Sequence, residues 1–215
     1  MDWTRYAIYW LPDGGLGRAG AEWLGWDARA GQAMEAPAPG TDVPRNYGFH
    51  ATIKPPFRLA EGADSGGVAA AAREAVAALD PVDLGRLTVA RPGRFLALVP
   101  ERNPGALAAE MVAELDRFRA PAAETELARR RANGLTERQE EMLFRWGYPF
   151  VMEEFRMHLT LTGRDPRDGV EARARAVFEP LTGPYRIEAL SLVGEGSDGR
   201  FRLIEDLPLR DGGAT

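Results

Sequence analysis

The amino-acid sequence predicts an α+β fold in which antiparallel sheets and helices form two similar lobes around a central groove. Short strand-like segments follow one another across turns rich in Pro and Gly, which is typical of antiparallel pairing. A strand, a helix and two further strands follow one another in the first half of the chain, and this order recurs in the second. A four-residue pattern of His, apolar, Thr, apolar occurs once in each half, 108 positions apart. We therefore expect one domain, residues 1–215, built of two pseudo-symmetric lobes, roughly one for each pattern.

The segments before the first pattern combine a strand, a helix and a loop. Residues 5–11 are rich in aromatic and β-branched side chains and end at Pro12, which predicts a strand. Residues 14–25 carry apolar side chains at helical spacing, so we expect a short helix despite the glycines. Residues 26–45 hold several prolines and glycines and show little periodicity, which predicts a long loop.

The first pattern lies in a predicted strand that two prolines close. Residues 47–54 form this strand, and we expect it to stop at Pro55 and Pro56, because proline lacks the N–H group that a sheet uses. The alanine-rich residues 64–79 then predict a helix.

Two strands and three helices fill the middle of the chain. Residues 84–90 and 94–99 predict two strands, since a turn signal, Arg-Pro-Gly, separates them. Residues 104–118 place apolar side chains on one helical face and predict a strong helix. Residues 122–131 and 136–146 predict two more helical segments, which an Asn-Gly pair splits.

The second pattern begins the other half of the layout. Residues 155–162 predict the second histidine strand, and residues 166–181 predict a third major helix. Residues 185–193 and 200–204 predict two strands around a glycine-rich turn. We expect residues 211–215 to form a frayed tail.

The two histidines are the only histidines in the chain, and their matching contexts indicate that they work together. Side chains alternate between the faces of a strand, so His50 and Thr52 share one face, and His158 and Thr160 share another. Histidine titrates nearest neutral pH and is the usual proton shuttle in enzymes. If the two polar faces meet across the groove, two imidazoles and two hydroxyls converge on one small volume.

That set of groups suits a phosphodiester. One imidazole takes a proton from water or a hydroxyl, while the other gives a proton to the leaving alkoxide. The hydroxyls of Thr52 and Thr160 bind the non-bridging phosphate oxygens. No metal is required, and the sequence offers poor metal ligands, because it has no cysteine and no third histidine.

Further groups are candidates for the same site. Strand alternation puts Lys54 on the face of His50, and it puts Arg156 and Thr162 on the face of His158. The two cations are therefore predicted to bind phosphate. Tyr47 falls on the opposite face by strict alternation, yet it is placed to line the mouth of the groove, as is Thr162.

The paired patterns resemble those of the 2H phosphoesterase superfamily, which is named for its two histidines. The resemblance is closer to the branch known as DUF1045, whose members are described as phosphonate-metabolism proteins, and it rests on residues 5–9, 47–57, 127–131, 145–149 and 155–163. It implies a two-lobed LigT-like fold and metal-free cyclic or linear phosphodiester chemistry. Because members of this branch are encoded beside phosphonate-utilisation genes, it also implies a ribose cyclic phosphate as an attractive substrate.

Composition limits the other function classes. The net charge is −5 and the pI is about 5.3, which argues against a protein that wraps long DNA or RNA. A small phosphorylated metabolite remains the expected partner, because a local basic pocket can form on an acidic protein. The lack of a signal peptide, of a membrane-spanning segment and of cysteine predicts a cytoplasmic protein. We expect a monomer with no cofactor.

Two rival functions remain open: an RNA-end enzyme acting on 2′,3′-cyclic phosphates or 2′–5′ linkages, and a non-catalytic module that binds a phosphorylated metabolite. Two local signals have competing interpretations. The string from Gly15 to Gly20 matches the dinucleotide-binding pattern G-x-G-x-x-G, but a proline-rich loop follows it rather than a parallel strand. The arginines at 129–131 suit RNA, but acidic residues surround them, so a solvated helix face is the simpler interpretation.

Overall fold

A long antiparallel sheet forms the centre of the protein in the computed structural model, which describes residues 3–132 and 134–210. The strands of the described residues are, in chain order, β1 (Tyr6–Trp10), β2 (Trp26–Asp27), β3 (Gln32–Ala33), β4 (Ala51–Phe57), β5 (Val82–Gly85), β6 (Leu87–Ala90), β7 (Ala97–Pro100), β8 (Leu159–Thr160), β9 (Tyr185–Ile187), β10 (Ala189–Glu195) and β11 (Phe201–Pro208).

Seven of these strands form the main sheet, in the spatial order β11-β10-β1-β4-β8-β7-β6, and each described pairing is antiparallel. The helices are α1 (Gly14–Leu24), α2 (Asp42–Arg45), α3 (Ser65–Ala77), α4 (Gly105–Glu114), α5 (Glu124–Arg131), α6 (Glu137–Trp146) and α7 (Val170–Phe178). The predicted α+β class with antiparallel sheets is confirmed. No helix in the described ranges has the length and apolar character needed to cross a membrane.

The two histidine strands are neighbours at the middle of this sheet. β4 pairs with β8 on one side and with β1 on the other. The β6–β7 hairpin, which follows β4 in the chain, joins the sheet through pairing of β7 with β8. The β10–β11 hairpin, which follows β8, joins it through pairing of β10 with β1. Each half of the sheet therefore combines strands from both halves of the chain, and the division into two lobes, one for each pattern, stays a prediction.

The two faces of the sheet have different coverings. On β1, the side chains of Ile8 and Trp10 join the main core, to which α1, α3, α4 and α7 contribute buried residues. The alternate side chains of β1, Ala7 and Tyr9, join a smaller cluster with Phe201 and the β2–β3 ribbon. We call this second side the open face, because no helix contributes a buried residue to that cluster within the described residues.

The first histidine strand begins and ends later in the chain than predicted. It starts at Ala51 and continues through Pro55 and Pro56 to Phe57, so the prediction that the prolines end it is wrong. β8 pairs with β4 at Ala51 alone, and β1 pairs with Lys54 and Phe57 but with neither proline. The prolines therefore occupy strand positions at which no ladder bond is lost.

The second histidine strand is shorter than predicted. Regular pairing covers Leu159–Thr160 instead of residues 155–162. A 3₁₀ turn, Met152–Glu154, comes before it, and the side chain of Asn103 takes the place of a partner strand by bonding Phe155 and Met157. The polar backbone there is satisfied without a sheet.

Other differences are local. The predicted strand 84–90 is two strands, because Gly85 has a φ of 67° and turns the chain between β5 and β6. The predicted loop 26–45 holds the β2–β3 ribbon and the one-turn helix α2. The predicted helix 166–181 begins at Val170 and ends in a 3₁₀ turn. The predicted tail 211–215 lies outside the described residues.

The glycine string in α1 serves packing. A Cβ on Gly17 would lie 2.1 Å from the carbonyl oxygen of Pro12, and a Cβ on Gly20 would lie 2.0 Å from the ring of Phe49. β1 is flanked by antiparallel strands, so the parallel βαβ unit that dinucleotide binding needs does not form around it. The dinucleotide interpretation is therefore wrong for this segment.

We expect Gly20→Ala to destabilise the protein by about 1–3 kcal/mol, because the new methyl group overlaps Phe49 in a packed core. Urea unfolding followed by circular dichroism measures the change. Gly15→Ala, in the same helix, is the matched control, since its Cβ would meet Leu181 at an ordinary 3.6 Å. Equal stabilities for the two variants would contradict the packing role of Gly20.

Candidate functional site

Each histidine lies immediately before its strand, and the sheet register sets the two patterns side by side. Ala51 pairs with Leu159 in the antiparallel ladder, which places His50 opposite Thr160 and Thr52 opposite His158. Directly opposed residues have Cβ atoms about 4.5–5.5 Å apart. The two polar faces therefore adjoin on one sheet surface, instead of meeting across a groove as expected.

Both imidazoles bond the backbone carbonyl oxygen of the residue two positions earlier in the chain. His50 Nδ1 lies 2.9 Å from the carbonyl oxygen of Gly48, and His158 Nδ1 lies 2.8 Å from that of Arg156. A carbonyl oxygen only accepts, so Nδ1–H donates in both rings, which leaves Nε2 of the neutral imidazole as the acceptor. Thr52 Oγ1 lies 3.0 Å from His50 Nε2, as the predicted alternation requires, and donates to it.

His50 differs from His158 in its surroundings. Its ring stacks on that of Tyr9, with centroids 3.8 Å apart, and Tyr47 lies on the same cluster, 6.1 Å from His50. Burial lowers the pKa of His50 to about 4, with the charge of His158 acting in the same direction, while the bond to Gly48 partly opposes the shift. His50 is therefore a neutral proton acceptor at pH 7.

Two pockets lie on either side of the polar cluster formed by His50, Thr52, His158 and Thr160. The first, about 520 Å³, is lined by His50 and Thr160, and the second, about 390 Å³, by Thr52 and His158. Phe95 lines both, and its ring centroid lies 5.4 Å from that of His158. A group that contacts all four polar side chains therefore has space on either side of it.

Lys54 does not lie where alternation predicts. Between Tyr9 and Ile8, β1 advances by one residue while β4 advances by two, from Thr52 to Lys54. This β-bulge turns the lysine to the helix-covered side, where its Nζ donates to the carbonyl oxygen of Val112 at 3.0 Å. The predicted place of Lys54 beside His50 is wrong, and burial lowers its pKa to about 8.

The other predicted site residues line the pockets. Arg156 is exposed in the second pocket, next to His158, with one guanidinium nitrogen bonded to the carbonyl oxygens of Glu153 and Phe155. Tyr47 and Thr162 line the first pocket. Thr162 is buried and its hydroxyl accepts from the backbone N–H of Leu96, so it holds the chain in place.

Sequence reasoning missed three residues of the site. Asn103 accepts from the N–H of Met157 at 2.8 Å and donates to the carbonyl oxygen of Phe155 at 2.9 Å, which fixes the segment leading to His158. Phe95 separates the pockets, and Arg164 lines the first of them. Strand alternation continued from Thr162 to Arg164 could have identified this arginine. Asn103 and Phe95 come from distant segments, so the pattern around His158 does not indicate them.

The arginines at 129–131 lie on α5, in the segment that the sequence predicts to be helical. Arg130 bonds Glu126 at 2.6 Å and Arg131 bonds Glu140 at 3.1 Å, so these two are neutralised within the protein. Arg129 is exposed.

The Tyr9 hydroxyl is fully buried and has no hydrogen-bond partner among the described residues. We expect Tyr9→Phe to raise the free energy of unfolding by about 1 kcal/mol, because the ring that supports His50 stays while an unsatisfied polar group is removed. Tyr185→Phe is the control: that hydroxyl donates to Leu181 at 2.8 Å, so its loss lowers stability by a similar amount. Urea unfolding measures both, and a destabilised Tyr9→Phe variant would disprove the expectation.

Comparison with known proteins places these features in context. The family model "Protein of unknown function (DUF1045)" matches residues 52–202. Two curated relatives carry the name "Ribose 1,5-bisphosphate phosphokinase PhnN". The protein from Janthinobacterium sp. (strain Marseille) is 41% identical over 174 residues, which cover 74% of this chain and 38% of that protein. The protein from Laribacter hongkongensis (strain HLHK9) is 34% identical over 232 residues, which cover 98% of this chain and 53% of that protein.

The chain thus spans between about two fifths and half of the length of these relatives. Among solved structures, E. coli LigT complexed with NADP+ aligns over 98% of this chain and 100% of that chain, with a TM-score of 0.44 and 15% identity.

Proposed function

The chain belongs to the DUF1045 family, and we propose that it is a phosphodiesterase that hydrolyses a small cyclic phosphodiester by paired-histidine acid–base catalysis. The observation that carries the proposal is the register of β4 and β8, which supports a cluster of two imidazoles and two threonine hydroxyls on one surface between two pockets. A phosphate bound over this cluster has a proton acceptor, a proton donor and hydroxyl donors within reach.

His50 is the general base in this mechanism. Its lowered pKa keeps the ring neutral, and its Nδ1–H is engaged by Gly48, so Nε2 accepts the proton. Water attacks phosphorus as Nε2 removes its proton, which forms the new P–O bond. The Tyr9 ring beneath the imidazole holds it in place during this transfer.

His158 is the general acid. Its Nδ1–H is fixed on the carbonyl oxygen of Arg156, so the proton that it delivers is on Nε2. The bond between phosphorus and the ester oxygen breaks, the oxygen takes this proton, and the product is a phosphate monoester with one free hydroxyl. When substrate binds, the Thr52 hydroxyl turns its proton from His50 Nε2 to a non-bridging oxygen, which frees Nε2 to accept from water. Thr160 donates to the non-bridging oxygens as well, with Arg156 and Arg164 at the pocket walls to balance negative charge.

A ribose cyclic phosphate is the proposed substrate. The curated relatives are named for ribose 1,5-bisphosphate, and opening a cyclic phosphate on a phosphorylated ribose gives a ribose bisphosphate. The phosphate loop of P-loop kinases, G-x-x-x-x-G-K-[ST], needs a lysine after glycine, but the single lysine of this chain, Lys54, follows Ile53. The sequence of this chain therefore does not contain that phosphate loop.

A nucleoside cyclic phosphate is the second candidate, and the second pocket favours it. Its walls include the rings of Phe95, Tyr148, Phe150 and Phe155, and aromatic faces stack on nucleobases. This candidate covers the RNA-end function that the sequence left open.

The direct experiment is a screen of ribose 1,2-cyclic phosphate 5-phosphate, ribose 1,2-cyclic phosphate and the four nucleoside 2′,3′-cyclic phosphates in the presence of EDTA. Release of a monoester is followed by ³¹P NMR. We expect turnover that EDTA does not change, because the proposed chemistry uses imidazoles alone. Loss of activity on chelation would overturn the metal-free mechanism, while tight binding without turnover would instead support a binding module.

A further inference from the structure

We propose that a third pocket, which shares no lining residue with the two histidine pockets, binds a phosphate monoester. It lies where β1 begins and β4 ends, at one edge of the main sheet. Residues at the start of α5 and within it form the opposite wall. Its volume is about 420 Å³, and it is lined by Thr4, Arg5, Arg58, Ala123, Thr125, Glu126 and Arg129. Within the described part of the chain, none of these residues lines either histidine pocket. We call it the arginine pocket.

The charges of the arginine pocket do not cancel. Its single carboxylate, Glu126, is bonded at 2.6 Å by Arg130, which does not line the pocket, and Arg58 lies 3.5 Å from it. These cations hold the pKa of Glu126 below its usual value. Arg129 has no carboxylate within 4.0 Å among the described residues. Glu195 also pairs with Arg5, yet the four arginines at this cavity, Arg5, Arg58, Arg129 and Arg130, outnumber the two carboxylates, so positive charge remains there in a chain whose net charge is −5.

The groups that line the pocket suit a phosphate. Arg5 is held rigidly, since two of its nitrogens each lie 2.6 Å from a carboxylate oxygen of Glu195, while Arg58 and Arg129 extend from opposite walls. Guanidinium groups bind the oxygens of a phosphate in a forked geometry, and the hydroxyls of Thr4 and Thr125 supply further donors. A dianionic monoester satisfies more of these donors than a diester does.

The arginine pocket shares no lining residue with the two histidine pockets, so its test uses a variant that lacks both histidines. Ribose 5-phosphate is titrated by calorimetry into the His50→Gln/His158→Gln variant at 150 mM salt, with ribose as the uncharged control. We expect ribose 5-phosphate to bind and ribose not to bind. Adding Arg58→Ala and Arg129→Ala should weaken binding at least tenfold. Arg18→Ala, another exposed arginine, should leave it unchanged.

A 5′-phosphorylated trinucleotide identifies the source of the phosphate. If it binds more tightly than ribose 5-phosphate and loses that advantage in the arginine variants, the pocket takes the end of a longer substrate. If the two bind alike, the pocket takes a separate phosphorylated metabolite. Absence of binding in the histidine variant, or binding that survives loss of both arginines, would overturn the proposal; circular dichroism confirms that each variant is folded.

Discussion

Replacing His50 or His158 with glutamine is expected to lower kcat on the cyclic phosphodiester substrate by roughly 10²–10⁴-fold in each case. In the proposed mechanism, each imidazole moves a proton that the amide of glutamine cannot move at neutral pH, while the amide keeps a polar group of similar size. The two losses are not expected to multiply in the double variant, because the base and the acid act in the same step. Initial rates with the substrate that the screen identifies measure the effect.

Thr88→Val is the control for these variants. It changes a threonine on β6, whose side chain is exposed and lines neither histidine pocket among the described residues, so kcat should stay within twofold of the parent value. Unfolding curves for all variants separate a catalytic loss from a folding loss. A folded variant of either histidine that keeps full activity would contradict the paired mechanism.

The stability of the protein should fall as the pH drops from about 6.5 to about 4, with His50 as a large contributor. Its pKa is about 6.5 in an unfolded chain and about 4 in the folded protein, so the unfolded state binds the proton first. Stability is therefore complete above pH 6.5 and decreases through this window, by roughly 3 kcal/mol in total for this group. Urea unfolding at half-unit pH intervals measures the slope.

His50→Gln isolates this contribution, since carboxylates titrate in the same window in both proteins. The variant should show a shallower decrease between pH 6.5 and 4, whatever its stability at pH 7. Identical slopes for parent and variant would show that the folded protein does not hold the pKa of His50 below its usual value. The kcat of the parent protein should also fall as the pH drops toward about 4, because protonation of His50 removes the proposed base.

The sequence was sufficient to predict that His50 and Thr52 share one face, because strand alternation is a local property. His50 and Thr52 lie on one face as predicted, bonded at 3.0 Å. The wrong placement of Lys54 has a non-local cause: the bulge is visible only as a mismatch between β4 and its partner β1. Alternation along a single strand cannot reveal it.

The limits of the predicted strands have a similar explanation. Whether Pro55 ends a strand depends on which neighbours pair at that position, and β8 is too short to reach it. Asn103 was missed because its side chain bonds the backbone of residues 155–157 in place of a partner strand. To predict this role, one would have to know which strands pair with that segment. In each case the missing information was the identity of a partner distant in the chain.

The stack of His50 on Tyr9 has a consequence for the direction of the reaction. A centre made from two copies of one pattern is nearly symmetric, and a symmetric centre would accept a diester in either of two opposite orientations. The ring of Tyr9 makes the two sides unequal, since one imidazole stacks on it at 3.8 Å and the other lies beside Phe95 at 5.4 Å. In the proposed mechanism, the attacking water and the departing oxygen then lie on different sides, and we expect a cyclic substrate with two distinct ester oxygens to open to a single regioisomer.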